Sequence, residues 1–179
     1  MEPTGTCSSG SQYSSFWVGL DGYSSSTVEQ SGSEVDCSGG RAQYYSWYEM
    51  YPAYPVNFSN PVRPGDHFTG SVTYNGGGSY TLTLTDATQG WSHIVSATLH
   101  GAANSSAEVI AEAPSSSGGV LPLTDFGTVN FSAATVNGSP IGNASPAEIT
   151  MVDSAGRAKD TVSALSGGQN FSATWLRST

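Results

Sequence analysis

The chain has 179 residues and a mass of 18.5 kDa, a length typical of one domain. Five lysines and arginines against fourteen aspartates and glutamates give a formal net charge of −9 at pH 7. Such a balance argues against binding to nucleic acid and against a polybasic membrane anchor, and we expect neither partner. Hydrophobic residues make up 37% of the chain, yet no apolar run approaches the roughly 20 residues that span a bilayer.

Charged residues are only 11% of the chain, whereas ordinary soluble domains contain about 25%. If every carboxyl group were protonated, the five lysines and arginines and three histidines would leave a charge of only +8. The composition is therefore compatible with work at low pH. Secreted binding modules rich in serine and threonine have a similar composition, so compatibility alone does not select an enzyme.

Helix signals are nearly absent, and glycine, proline, asparagine or serine interrupts the chain about every 8–12 residues, as in antiparallel sandwiches and barrels. Asn75-Gly76-Gly77-Gly78, between two alternating segments, predicts a tight hairpin. The alternating segments predict strands, in chain order, at 16–21, 44–51, 67–74, 79–86, 93–100, 107–112, 126–132, 149–152 and 170–175. The pattern predicts one all-β domain over residues 1–179.

Successive residues of a strand point to opposite faces of the sheet, so the order of side chains predicts what each face offers. In 16–21, one face carries the apolar side chains and the other carries Trp17, Gly19 and Asp21. Similar faces occur in 45–51 and 107–112, and Gln30 lies in a shorter alternating segment. If these faces belong to one sheet, they form a groove with aromatic walls and a few carboxyl and amide groups.

The same alternation is typical of any half-exposed antiparallel sheet. On that interpretation Glu108 and Glu112 are solvated carboxylates and Gln30 is an ordinary turn residue. Trp17 and Trp47, placed by the alternation on the solvent-facing side, favour a binding surface instead, because exposed tryptophan is costly unless it binds something.

Cys7 and Cys37 are an even pair without a Cys-x-x-Cys motif, and the three histidines are scattered. No zinc spacing is satisfied, and we expect no metal or cofactor. We interpret the cysteines as one disulfide formed in an oxidising compartment, with two buried free thiols as the alternative. Residues 1–16 lack the basic and apolar regions of a signal peptide, so we expect none in this chain.

Several catalytic motifs are missing from the chain. It has no Gly-x-Ser-x-Gly elbow, no Asp-Thr-Gly or Asp-Ser-Gly of two-aspartate proteases, no glycine-rich phosphate loop and no His-Glu-x-x-His. Catalysis by carboxylates, or by a carboxylate with an amide, therefore remains as the chemistry that the residues allow.

Four segments occur in a characteristic order: FWVGLDG at 16–22, VEQSG at 28–32, YSWYEMYP at 45–52 and SAEVIAE at 106–112. Together with FGTV at 126–129, they resemble the glutamic peptidases, also called eqolisins or peptidase family A4/G1, and look most like the bacterial branch. The resemblance extends over roughly residues 13–176.

The resemblance implies a concanavalin-like antiparallel β-sandwich of two curved sheets and an acid-acting endopeptidase with a Glu/Gln pair. The pair falls on Glu108 and Gln30, while the residues that line or support the cleft fall on Trp17, Asp21, Trp47 and Glu49. We expect polypeptide substrates, a monomer and an extracellular, secreted location. Family members usually carry more strand before the position of Cys7, which leaves open that N-terminal strands are lacking here.

Two other functions remain open from the residues alone: a β-sandwich glycoside hydrolase and a non-catalytic carbohydrate-binding module. Glu108 and Glu112 lie four residues apart on one predicted strand, about 13 Å, which is too far for the paired carboxylates of a glycosidase. Gln30 discriminates among the three functions, because neither alternative needs a glutamine there.

Overall fold

A computed structural model describes all residues, 1–179, and consists of antiparallel strands with one short 3-10 helix at Ile141–Ala144. The strands are β1 Gln12–Asp21, β2 Val28–Ser38, β3 Arg41–Tyr51, β4 Val56–Asn57, β5 Phe68–Gly76, β6 Ser79–Asp86, β7 Trp91–Thr98, β8 Ala107–Glu112, β9 Ser115–Ser116, β10 Gly119–Val120, β11 Thr128–Phe131, β12 Thr135–Val136, β13 Ser139–Pro140, β14 Asp160–Val162 and β15 Phe171–Trp175. The expected all-β antiparallel class is confirmed.

The central sheet has the order β4-β3-β2-β1-β8, so the three long strands β1, β2 and β3 lie side by side and β8 lies at the edge next to β1. Two three-stranded sheets, β5-β6-β7 and β11-β15-β14, accompany it, together with the hairpins β9–β10 and β12–β13. No helix in the structure has the length and apolar character that crossing a bilayer requires.

Two apolar clusters join the smaller sheets to the central one. Phe16 packs edge-on against Phe126 with ring centroids 5.3 Å apart, in a cluster that reaches Val129 and Ala173 of the β11-β15-β14 sheet. A second cluster places Tyr80 and Leu82 of β6 against the central sheet. The central sheet is thus covered by both smaller sheets, and each packing contact buries large apolar or aromatic side chains.

The prediction for 149–152 is wrong, because this stretch forms only an isolated bridge between Val152 and Ala158. Residues 145–150 are exposed and hold no strand. Apolar residues alternate there with polar ones, but no neighbouring strand is available to pair with them.

The structure joins Cys7 and Cys37 by a disulfide, with their Cα atoms 5.4 Å apart. This separation lies inside the range that disulfides require. The bond connects the N-terminal segment to the end of β2.

The N-terminal segment is anchored a second time by Glu2. Its backbone N–H donates to the carbonyl of Asp66 at 2.7 Å, and its carboxyl, 3% exposed, accepts a hydrogen bond from Ser33 on β2. The molecule has one ion pair, Arg157 to Asp153 at 2.6 Å, and it lies on the surface. Hydrophobic packing and hydrogen bonds, rather than ion pairs, therefore hold the fold together.

Candidate active site

One row of side chains crosses the central sheet where the expected catalytic residues lie. Gly19 of β1 pairs with Gln30 of β2 on one side and with Glu108 of β8 on the other, and Gln30 in turn pairs with Glu49 of β3. Directly paired residues of neighbouring strands point to the same face. The row Glu108–Gly19–Gln30–Glu49, called the catalytic row below, therefore presents its three side chains to one side of the sheet.

Gly19 leaves the space between Gln30 and Glu108 free of any side chain. Gln30 and Glu108, on the two strands that flank β1, are separated by two strand spacings, about 9–10 Å between their Cα atoms. A Cβ added at Gly19 would lie 3.1 Å from the Cβ of Gln30 and 3.0 Å from the Trp17 ring. The missing side chain thus creates a gap whose walls are an amide, a carboxyl and an indole.

Gln30 is 8% exposed and is held from one side only. Its Nε2 donates a hydrogen bond to Oε2 of Glu49 at 2.5 Å, whereas its buried Oε1 accepts no hydrogen bond from the protein. Burial raises the pKa of Glu49 above its ordinary value, and the bond from Gln30 opposes that rise. Glu49 therefore orients the amide and leaves its oxygen, together with the second N–H of Nε2, free for a ligand.

Glu108 is half-buried at the other end of the row. Its Oε1 accepts a hydrogen bond from Oγ of Ser106 at 2.9 Å. Burial raises the pKa of Glu108 above its ordinary value, and the Ser106 hydrogen bond opposes this. A carboxyl with a raised pKa can hold or release a proton in mildly acidic solution, which is the requirement for a general acid or base.

Asp21 lies outside the cleft that contains this row. It is fully buried in a left-handed conformation, φ 65°, and accepts hydrogen bonds from the backbone N–H groups of Asn104 and Ser105. Although burial acts to raise it, these hydrogen bonds hold the pKa of Asp21 below its ordinary value. Asp21 therefore supports the turn that leads into β8 and Glu108, and has no direct access to a ligand.

The two tryptophans lie in the next row along the strands, which we call the tryptophan row: Ile110, Trp17, Gly32 and Trp47. The expectation that they are exposed is wrong, because Trp17 is 7% and Trp47 is 5% exposed. Gly32 provides room between them, and Nε1 of Trp17 donates to Oε2 of Glu112 at 2.8 Å. Both indoles form the floor of the cleft.

The cleft above these rows has a volume of about 1110 Å³. Its floor comes from the central sheet and its facing wall from the segment 146–151 and the β14–β15 region. Trp17, Gln30, Trp47, Glu49 and Glu108 all line it. The structure thus brings together five of the six site residues that the sequence indicated. No group of three or more histidine, cysteine, aspartate or glutamate side chains is arranged to hold a metal ion.

The cleft has further lining residues that were not predicted from the sequence, including Ser15, Glu34, Tyr54 and Glu148. Glu34 could have been found, because it lies four residues after Gln30 on one strand and therefore on the same face. Tyr54 and Glu148 lie outside the regular strands, where alternation gives no signal.

A model of the Peptidase A4 family matches residues 1–175. The chain belongs to this family. Aspergillopepsin-2 of Aspergillus niger is 33% identical over 146 residues, which cover 78% of this chain and 51% of that protein. The chain thus spans about half the length of the curated relative that it matches.

Solved structures agree with the peptidase A4 assignment. Aspergilloglutamic peptidase from Aspergillus niger superposes with a TM-score of 0.81 at 26% identity, over 92% of this chain and 99% of that chain. Scytalido-glutamic peptidase, solved with a transition state analog inhibitor, gives a TM-score of 0.78 at 25% identity, over 97% and 89% of the two chains. The β-sandwich expected from the resemblance is therefore confirmed.

Proposed function

We propose that this member of the peptidase A4 family is an acid-acting endopeptidase that hydrolyses polypeptides with Glu108 and Gln30. The observation that carries the proposal is the pairing of both residues with Gly19, on one face and with no side chain between them. A peptide carbonyl and a water molecule fit the gap that the glycine leaves. The same gap lies inside the large cleft, which an extended peptide can enter.

Glu108 acts first as base and then as acid. Its carboxylate takes a proton from water while the water oxygen forms a bond to the carbonyl carbon and the C=O electron pair moves to oxygen. The protonated Glu108 then gives this proton to the amide nitrogen as the C–N bond breaks. The raised pKa that burial gives Glu108 suits both halves of the cycle in acid.

Gln30 stabilises the charge that develops on the carbonyl oxygen. One N–H of Nε2 is used by Glu49, and the other can donate to the oxyanion, while Oε1 can accept from the attacking water. A donor placed in advance in this way is typically worth about 2.7–4 kcal/mol of barrier. The amide does not titrate, so it keeps this role at low pH.

The glycoside hydrolase and the carbohydrate-binding module gain no support. The family and its solved relatives are peptidases, and Glu108 and Glu112 lie at opposite ends of the same short strand. In addition, the tryptophans that a sugar platform would need are buried in the cleft floor and not exposed at its rim.

We further propose that residues 1–179 fold as one domain and act as a secreted monomer. Support for the single domain comes from hydrogen bonds that connect both ends of the chain to the body, such as Leu123 N–H to the Ser178 carbonyl at 2.9 Å. The disulfide supports an oxidising, extracellular location.

The test of this function is an acid digest of an unfolded protein by the purified chain, with pepstatin present to exclude aspartic proteases. Glu108→Gln keeps the size and hydrogen bonding of the side chain but removes its proton exchange. We expect cleavage to fall by at least about 1,000-fold, because both proton transfers are lost. Glu112→Gln makes the same change four residues away on β8, and its Oε1 can still accept from Trp17, so most of the rate should remain.

Circular dichroism of both variants should match that of the unchanged chain. Full acid proteolysis after Glu108→Gln would refute the assignment of the catalytic carboxyl. If the unchanged chain cleaved polysaccharide but not protein, the result would support the glycoside hydrolase function and contradict the peptidase function.

A further inference from the structure

The two oxygens of the Glu108 carboxyl have different surroundings. Ser106 lies just before β8, two residues from Glu108, and residues at this spacing in an extended chain point to the same face. Oγ of Ser106 donates to Oε1 of Glu108 at 2.9 Å, and no other side chain donates to this carboxyl. Oε1 is therefore held by a side chain of the protein, whereas Oε2 is not.

The backbone around Ser106 is fixed to the central sheet. Its carbonyl accepts a hydrogen bond from the backbone N–H of Asp21 at 3.0 Å, which continues the pairing of β1 with β8. The next residue, Ala107, is paired with Leu20 of β1. A single side-chain torsion places a serine oxygen, so a fixed backbone leaves Oγ of Ser106 few alternative positions. The hydroxyl therefore reaches Glu108 from a fixed point at the edge of the sheet.

The turn between β1 and β2 lies against the same carboxyl. Gly22 in this turn has φ 102°, and a Cβ added to it would lie 3.4 Å from Oε2 and 3.6 Å from Oε1 of Glu108. This φ favours glycine, and the absence of a Cβ lets the backbone of the turn approach the carboxyl closely. Glu108 is therefore confined between the backbone of Gly22 and the hydroxyl of Ser106.

The hydrogen bond from Ser106 stabilises the ionised form of Glu108. Burial raises the pKa of Glu108, whereas the Ser106 hydroxyl, followed by the backbone of Tyr23, lowers it. The carboxylate of Asp21, outside the cleft, acts to raise this pKa. The other titratable groups that line the cleft around Glu108 are Tyr23 in the turn, Glu112 on the same strand, Glu49 on β3, and Glu148 and Asp160 on the facing wall. Ser106 is thus the one side chain that favours the charged carboxylate.

We propose that Ser106 is a positioning residue that gives the two oxygens of Glu108 different roles in proton transfer. This inference rests on the proposed endopeptidase function and specifies the atom that exchanges the proton. Oε1 already accepts the Ser106 hydrogen bond, so the proton taken from the attacking water forms its bond to Oε2. The same proton passes from Oε2 to the amide nitrogen as the C–N bond breaks, and Oε2 is again unprotonated. Ser106 keeps its own proton throughout.

A hydroxyl is suited to both protonation states of Glu108. It donates to Oε1 of the carboxylate, and it can still donate to Oε1 as a carbonyl oxygen after Oε2 has been protonated. The hydrogen bond is stronger when the acceptor is charged, so Ser106 also favours release of the proton to the leaving nitrogen. One side chain therefore holds the carboxyl in place through the whole cycle.

The test is the pH profile of kcat/KM for Ser106→Ala, measured with a quenched fluorescent peptide. Loss of a hydrogen bond that favours the ionised form raises the pKa of Glu108, and the free enzyme needs this carboxyl ionised as a base. The acidic limb of the profile should therefore move to higher pH by about 0.5–1 pH unit. Above the limb, kcat should fall by about tenfold with KM nearly unchanged, because the carboxyl is no longer held in position.

Two further variants separate this role from a general effect on the loop. Ser106→Thr keeps the hydroxyl and should retain most of kcat and the original acidic limb. Ser105→Ala removes the neighbouring hydroxyl, which donates to Asp21 at 3.0 Å instead, and should leave the limb in place. An unchanged kcat and limb in Ser106→Ala would overturn the role of Ser106, and so would an equal shift of the limb in Ser105→Ala.

A titration without substrate distinguishes this inference from the proposed function. Glutamate labelled with ¹³C at the carboxyl carbon is titrated by NMR, and the Glu108 signal is identified by its absence from Glu108→Gln. We expect the pKa of Glu108 to be about 0.5–1 unit higher in Ser106→Ala than in the unchanged chain and in Ser106→Thr. This shift supports the role of Ser106 even if the chain cleaves no peptide. Equal pKa values in the three proteins contradict it even if the chain is an active peptidase.

Discussion

Gly19 controls the candidate site through the side chain that it lacks. A Cβ at this position would lie 3.0 Å from the carbonyl oxygen of Glu29, 3.0 Å from the Trp17 ring and 3.1 Å from the Cβ of Gln30. All three neighbours are packed, so none can move without moving the floor of the cleft. Backbone conformation alone does not require glycine here, because Gly19 is not among the residues with positive φ.

Gly19→Ala should therefore damage catalysis more than folding. Overpacking of this size typically costs about 1–3 kcal/mol, which a folded domain can tolerate. The displaced amide, in contrast, no longer faces Glu108 across an open gap, and we expect kcat/KM to fall by about 100-fold or more. Peptide cleavage assays and thermal unfolding measure the two effects.

Gly118→Ala is the matched control, because a Cβ there meets only the Ser116 hydroxyl at 3.6 Å. Its activity should stay near that of the unchanged chain. An active Gly19→Ala protein would show that the space above Gly19 is not where the substrate carbonyl lies.

The second strand shows how far the sequence predicts the elements. Strands with an apolar and a polar face, such as β6 and β8, were predicted with their observed bounds, because apolar and polar residues alternate in their sequences. β2 extends over Val28–Ser38, but only its first residues were recognised. Its centre, Gln30-Ser31-Gly32-Ser33, is buried on both faces, so small polar residues replace the expected alternation.

The candidate site was predictable residue by residue but not in its arrangement. The resemblance identified Gln30 and Glu108, whereas their separation by Gly19 depends on which strands are neighbours, and strand order is not readable from spacing. The placement of Asp21 beneath the turn at Asn104 and Ser105 depends likewise on a contact between residues more than 80 positions apart.

The disulfide stabilises the element that carries Gln30. Cys7 and Cys37 close a loop with a sequence separation of 30, which contains β1 and nearly all of β2. For a loop of this length the loss of chain entropy in the unfolded state corresponds to about 3–4 kcal/mol. Replacing both cysteines by serine should lower the free energy of unfolding by about this amount, as urea titration at acidic pH would measure.

The single variants Cys7→Ser and Cys37→Ser should each lose as much stability as the double variant, because either change breaks the bond. A double variant as stable as the unchanged chain would contradict the structural role of the bridge. Dithiothreitol should destabilise only the unchanged chain.

On the scale of the whole molecule, several buried carboxyls make folding depend on pH. Burial raises the pKa of Glu2 to about 8 and that of Glu29 to about 7. Both oxygens of Glu29 are buried without a hydrogen-bond partner between the sheets. In the unfolded chain such groups titrate near 4.3, so between that pH and their folded pKa values the unfolded state has fewer bound protons.

The free energy of unfolding should therefore be highest in mild acid and fall as the pH rises from about 4.5 to about 8. Each unit of pKa difference corresponds to about 1.4 kcal/mol. Glu29→Gln removes one of these titrating groups and should reduce the loss of stability over this interval. Urea unfolding midpoints at pH 4, 5.5 and 7.5 give the measurement.

Glu148→Gln, the same change at an exposed glutamate, is the matched control and should leave the pH profile as it was. A flat profile for the unchanged chain would show that Glu2 and Glu29 are ionised in the folded state. Asp21 acts in the opposite direction, because its lowered pKa gives stability that is lost only when the pH falls below its ordinary range.

The presence of only one ion pair, on the surface, has a consequence for the stability of the fold in acid. Acid usually denatures a protein by protonating carboxylates whose attraction to lysine and arginine held the native state together. Here one such contact exists, Asp153 with Arg157, and surface contacts of this kind contribute at most about 1 kcal/mol. Protonation of carboxylates and screening by concentrated salt therefore have almost no ion pairs to weaken. We therefore expect acid and high salt to destabilise this fold less than they destabilise proteins that depend on many ion pairs.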